Sequence, residues 1–187
     1  MIEYPAIPES ITIHLGAPSD SSALNVTESF ADYIKNVASS EIYPTWPEEA
    51  LKANILAQIS VALNRVYTEH YRSAGRDFDI TSSPAYDQNY VYQRDIYDNI
   101  SRIVDDLFTS YIRRTGTIEP LYAEFCDGNK VTCNGLYQWG SVELANQGKS
   151  YIDILKQYYG HDIEIVTDVP VENSGESAPS TPLNEGD

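Results

Sequence analysis

The residues best suited to chemistry gather in one short stretch, Glu41-Ile-Tyr-Pro-Thr-Trp-Pro-Glu-Glu49. It holds a carboxylate, Glu41, and two aromatic rings, Tyr43 and Trp46. Pro44 and Pro47 restrict the backbone around them. Helical spacing upstream places Glu41 at a helix C-terminus, where the helix dipole disfavours negative charge. Ile42 and Tyr43 add apolar surroundings, and Ala38, Ser39 and Ser40 leave room for a ligand to approach. Dipole and desolvation both raise a carboxyl pKa. A general acid working near neutral pH needs that condition. The same pattern also describes a surface Glu at a helix end, so these residues alone leave both readings open.

Other chemistries find less support. His14, His70 and His161 are scattered without metal-ligand spacing. No glycine-rich phosphate loop, G-x-S-x-G elbow or H-E-x-x-H motif occurs. Cys126 and Cys133, with six residues between them, are too few for a four-ligand zinc site without help. They read as a short-loop disulfide or as two buried thiols, with the disulfide favoured. No metal or cofactor is expected.

Composition narrows the partner. A formal net charge of −16 argues against nucleic acid, whose phosphates demand basic patches, and against an anionic membrane surface. A neutral polymer, a cationic group or a small molecule fits better. Fifteen tyrosines and two tryptophans stand beside four phenylalanines. Such rings pack core edges with the hydroxyl wet, and they also form platforms for sugar faces. The start, MIEYPAIPESI, lacks the basic and apolar regions of a signal peptide, and no apolar run reaches membrane-spanning length.

The elements that must position the corner can be read in order. Strands are expected at 11–15 and 23–27. A helix capped by Thr27 or Ser29 runs to about Ser40, with Phe30, Ile34 and Val37 on one face. A capping box of Thr45 and Glu48, with Pro47 near the first turn, starts a second helix reaching about Arg72. Its stripe is Leu51, Ile55, Ile59, Ala62 and Val66, and its alanines allow close approach. Gly75 ends it. Helices follow at 94–108, 141–146 and 151–158, with strands at 78–80, 109–113, 120–125 and 162–166. The expectation is a single α+β domain, mostly helical with small β-sheet elements, over 11–168. Residues 1–10 read as a Pro-punctuated, extended N-terminal segment. Residues 169–187 read as a flexible acidic Ser/Pro linker.

The stretch YIKNVASSEIYPTWPEEALKANILAQISVALNR resembles the stage II sporulation protein D family. The matching features are Ala38-Ser-Ser-Glu41, Trp46-Pro47 and Glu49-Ala-Leu-Lys-Ala53. Two later segments fit in order. Tyr86-Asp-Gln-Asn-Tyr90 is similar to the family's Cys-Gln-x-Tyr loop, with Gln88 in place. Gly135-Leu-Tyr-Gln-Trp-Gly140 and the following LANQGKSYIDILKQYYG are similar to its closing segment.

The resemblance implies a lytic transglycosylase of peptidoglycan glycan strands, with Glu41 as the catalytic acid and base. Tyr43, Trp46, Gln88, Tyr137, Gln138 and Trp139 are its expected glycan-binding residues. It also implies a place in the cell wall, outside the cell or at the spore. The alternative is a non-catalytic peptidoglycan-binding protein, or one that activates a cell-wall amidase. Two departures stand out. The family's arginine falls on Ile59, and its zinc-holding Cys and His are absent, with Ala85, Tyr86 and Asp87 in that loop. Leu183-Asn-Glu-Gly-Asp187 is similar to the entry of a peptidoglycan-binding module.

Overall fold

The computed structural model describes residues 5–172. The chain runs β1 (Ser10–His14), β2 (Asn25–Ser29), α1 (Phe30–Glu41), α2 (Glu48–Tyr67), β3 (Ile80–Thr81), α3 (Asp98–Leu107), β4 (Tyr111–Arg114), β5 (Phe125–Cys126), β6 (Leu136–Tyr137), α4 (Gln138–Asn146), α5 (Tyr151–Tyr159) and β7 (Ile163–Val166). This is the expected α+β architecture.

Everything is arranged around α2. It is buried on nearly every side from Ala50 to Asn64, because it lies between two apolar clusters. On one side Ile55 and Ile59 meet Tyr33, Ile34 and Val37 of α1, Ile11 and Ile13 of β1, and Ile100, Ile103 and Val104 of α3. On the other, Ala53, Leu56, Ala57 and Val61 meet Ile112, Leu136, Ile154, Leu155 and Ile163. Ala53 and Ala57 therefore serve the second cluster, where α4 and α5 come close, whereas Ala62 belongs to the first. Each large apolar side chain buried in this way contributes on the order of 2 kcal/mol.

Three small sheets flank the helices. β1 is central in the order β2-β1-β3, antiparallel to β2 and parallel to β3. β4 pairs antiparallel with β7, and β5 pairs parallel with β6. Residues 5–9 and 169–172 belong to the packed body. Ile7 is fully buried and forms a parallel bridge to Val171, and Val169 is in the same core cluster. The body thus extends past 11–168 at both ends. The rest of the expected linker, 173–187, with the Leu183–Asp187 segment, lies outside the described residues.

Several boundaries differ from expectation for local reasons. Ser29 caps α1 by accepting from the Asp32 N–H at 3.1 Å. The Thr45–Glu48 capping box does not form: Pro47 is extended, so α2 begins at Glu48 with no side-chain cap. α2 stops at Tyr67, and a 3-10 turn, Arg72–Ala74, follows, closed by Gly75 at φ 89°. α3 starts at Asp98 because the preceding segment is tied across α1, where Asn36 bonds both the N–H and the C=O of Val91. In the span 120–125 only Phe125 joins a strand, since β6 offers a partner just two residues long. No helix among the described residues is long and apolar enough to cross a membrane.

Candidate active site

Glu41 is the last residue of α1. The Ile42 N–H closes the helix on Ala38 O at 3.1 Å, and the chain then turns extended. The carboxylate is partly exposed and accepts two hydrogen bonds, both from neutral donors. Asn89 N–H donates to Oε2 at 2.9 Å, and Gln138 Nε2 donates to Oε1 at 3.2 Å. Burial pushes the Glu41 pKa above the ordinary value of 4.5, and the two hydrogen bonds only partly offset that rise. Its position in the last turn of α1 works in the same direction.

Gln138 is the first residue of α4 and is nearly buried. Its backbone carbonyl accepts from Ser141 Oγ at 2.6 Å, and Ser141 Oγ accepts from Asn54 Nδ2 at 2.9 Å. α2 thus braces the donor from beneath. Gln88 is also fully buried. Its Nε2 donates to the Tyr33 hydroxyl at 3.2 Å and to Gln58 O at 3.0 Å. Gln88 therefore holds the loop from below, and the next residue, Asn89, supplies the N–H to Glu41.

The aromatic residues divide. Tyr43, Trp46 and Trp139 form one cluster. Ring centroids lie 5.8 Å apart for Tyr43–Trp46, 5.8 Å for Tyr43–Trp139 and 4.9 Å for Trp46–Trp139. Tyr43 is 58% exposed and Trp139 43%, whereas Trp46 at 9% is their base. Trp139 follows Gln138 in the chain, so the cluster stands beside the carboxylate. Tyr137 turns the other way and packs on Tyr158 at 5.6 Å.

The glycines around this segment have a packing reason. A Cβ at Gly135 would lie 1.8 Å from Glu124 O, and one at Gly140 would lie 2.0 Å from the Tyr158 hydroxyl. Cys126 and Cys133 form a disulfide with Cα atoms 6.2 Å apart. Cys126 pairs with Tyr137 in the β5–β6 ladder, so the cross-link lies against the strand that delivers Gln138.

The 94–99 segment is tied to the end of α1 and to the corner after it. Arg94 Nη1 donates to Ser40 Oγ at 3.4 Å, Tyr97 N–H to Ser39 Oγ at 3.3 Å, and Asn99 Nδ2 to Pro44 O at 2.8 Å. Ile59 is fully buried in the first core cluster. A surface depression of about 600 Å³ lined by Lys149, Lys156 and His161 lies elsewhere and does not include Glu41. Among the described residues no group of three His, Cys, Asp or Glu is placed to hold a metal ion.

Sequence reasoning missed Asn89, Asn54 and Ser141. Asn89 acts through its backbone, which no side-chain pattern reveals. Asn54 and Ser141 read as ordinary helix residues until α2 and α4 are seen to touch.

Comparison with known families matches residues 21–112 to the model described as Stage II sporulation protein (SpoIID). No curated protein matches the chain. The matched segment contains Glu41, Tyr43, Trp46, Gln88 and Asn89, whereas Gln138 and Trp139 lie beyond it and reach the site through the fold.

Proposed function

We propose, with the SpoIID family segment at residues 21–112 as the premise, that this protein is a lytic transglycosylase of peptidoglycan glycan strands. The family match associates the chain with a sporulation-related, cell-wall function. The finer reading is carried by one observation: Glu41 has a raised pKa, is held by two neutral donors, and stands beside an exposed aromatic cluster.

In this reading the protonated Glu41 gives its proton to the glycosidic oxygen between N-acetylmuramic acid and N-acetylglucosamine. The bond from C1 to that oxygen breaks. The resulting carboxylate, stabilised by Asn89 N–H and Gln138 Nε2, takes the proton of the muramic C6 hydroxyl as that oxygen bonds to C1. The product is a 1,6-anhydro end, and Glu41 returns to its protonated form. One carboxylate performs both transfers, in contrast with the two-carboxylate arrangement of hydrolytic glycosidases. Tyr43 and Trp139 offer ring faces to the sugars over the base formed by Trp46. Gln138 orients the carboxylate, and Gln88 acts from behind through the loop.

A second reading has its own observation. Ile59 stands where the family carries an arginine, and it is sealed in the core. That favours a protein that binds peptidoglycan without cutting it, or that activates a separate amidase. Digestion of purified glycan strands by wild type and Glu41→Gln, read by mass spectrometry, separates the two.

A further inference from the structure

Asp87 is a buried carboxylate with an unusual number of donors. Its side chain is fully buried. Arg65 Nε donates to Oδ1 at 2.8 Å, while Tyr71 OH at 2.8 Å, Thr81 N–H at 2.9 Å and Thr81 Oγ1 at 2.6 Å donate to Oδ2. These donors come from the end of α2, the turn after it, and β3. Arg65 is itself largely buried. It donates through Nη2 to Tyr86 O at 3.2 Å and lies over the Tyr122 ring at 4.6 Å. A buried pair of this kind contributes little net stability, because desolvation offsets its attraction. It does fix geometry, since losing one partner leaves the other charge uncompensated.

The fixed geometry leads to Glu41. Asp87, Gln88 and Asn89 are consecutive. Asp87 is pinned by Arg65, Tyr71 and Thr81, and Gln88 by Tyr33 and Gln58. Two residues further on, Val91 is pinned by Asn36 through both its N–H and its C=O. Asn89 lies between these anchors with its N–H aimed at Glu41 Oε2.

We propose that the Arg65–Asp87 pair positions Glu41: it holds the loop in the one arrangement that presents the Asn89 N–H to the carboxylate. Asp87 is a positioning residue, acting through Asn89. Its importance for catalysis rests on the reading of Glu41 as the acid, but its effect on the carboxylate does not. The hydrogen bond from Asn89 favours the ionised form of Glu41, so loosening the loop shifts that group toward its protonated form.

The test is an NMR titration of the Glu41 side-chain carboxyl in wild type and Asp87→Asn. The Tyr33 hydroxyl, bonded to Gln88, is pushed well above its ordinary value by burial and so stays neutral through the titration range of Glu41, and Arg94 reaches Ser40 beside it. His70, packed edge-on against Tyr71 at 4.7 Å, is followed by its own resonance. The expected result is a Glu41 midpoint displaced upward in Asp87→Asn, with loss of the pH-dependent shift of the Asn89 amide. A folded Asp87→Asn whose Glu41 midpoint matches wild type would overturn the proposal. If that variant does not fold, Arg65→Gln carries the same comparison with the same two outcomes. Glycan cleavage by the same proteins is read separately, where kcat is expected to fall on the order of 10- to 100-fold with KM little changed. A wild type that cleaves nothing removes the catalytic reading, while the titration still decides whether Asp87 positions Glu41.

Discussion

Gln138 Nε2 lies 3.2 Å from Glu41 Oε1, although 97 residues separate the two in sequence. α2 makes the contact possible. It carries Asn54, which holds Ser141 and through it the first turn of α4. It also follows directly from the corner that begins at Glu41. Carboxylate, donor and aromatic cluster are thus assembled around one helix, α2, with apolar packing on both its flanks.

The raised Glu41 pKa has a consequence for stability. In the folded state the group holds its proton more tightly than its ordinary value of 4.5. Ionisation therefore costs stability: the penalty is absent below the unfolded pKa and develops as pH rises through the folded one. Glu41→Gln removes the penalty. Thermal denaturation should show the variant with a higher Tm than wild type at pH 7, and the two curves should converge at about pH 4. A variant less stable than wild type at neutral pH would show that the charge is welcome where it stands.

The aromatic cluster should separate binding from folding. Trp46 is nearly buried, so Trp46→Ala is expected to cost about 3 kcal/mol of stability. Trp139 and Tyr43 are exposed, and replacing either by Ala should cost about 1 kcal/mol or less. Both replacements should weaken glycan binding, by roughly tenfold for Trp139 on the scale of a lost aromatic stacking contact. Chemical denaturation and binding to insoluble peptidoglycan measure the two effects.

The Cys126–Cys133 bond closes a short loop against β6. Loop-closure entropy for so short a ring is about 2 kcal/mol. The double variant Cys126→Ser/Cys133→Ser should lose about that much stability. Because β6 leads directly into Gln138, the same variant should also weaken the Gln138–Glu41 bond, visible as an upward shift of the Glu41 titration.

Ile59 separates sequence position from structural position. It is fully buried among Tyr33, Ile34, Val37 and Ile55. Ile59→Arg would place an unpaired charge in that core, with a cost of several kcal/mol. The variant should be destabilised strongly and should not gain glycan cleavage. A stable Ile59→Arg protein with raised activity would mean that the helix can turn this position toward Glu41.

The fold was largely legible because its main helices follow simple rules. Ser29 caps α1, and the Leu51–Val66 stripe marks α2. What failed was local competition. Pro47 took the start of α2 from Thr45, and Asn36 drew residue 91 across α1 and delayed α3. Among the candidate residues, Glu41, Tyr43 and Trp46 stand out by residue type, Gln138 and Trp139 only through the family resemblance, and the fold brings the five close together. The depth of Gln88 was not recognisable, nor was the part played by the Asn89 backbone. Both depend on how a loop without secondary structure is pinned, and the pins, Arg65 and Asp87, stand 22 residues apart.

The most direct measurement of the central claim is digestion of purified glycan strands by wild type and Glu41→Gln, with mass spectrometry of the ends released. Wild type should yield 1,6-anhydromuramic ends, and Glu41→Gln should yield none above background while remaining folded. Equal release by the two proteins, or release of reducing ends in place of anhydro ends, would contradict the assignment of Glu41 as the acid and base of a lytic transglycosylase.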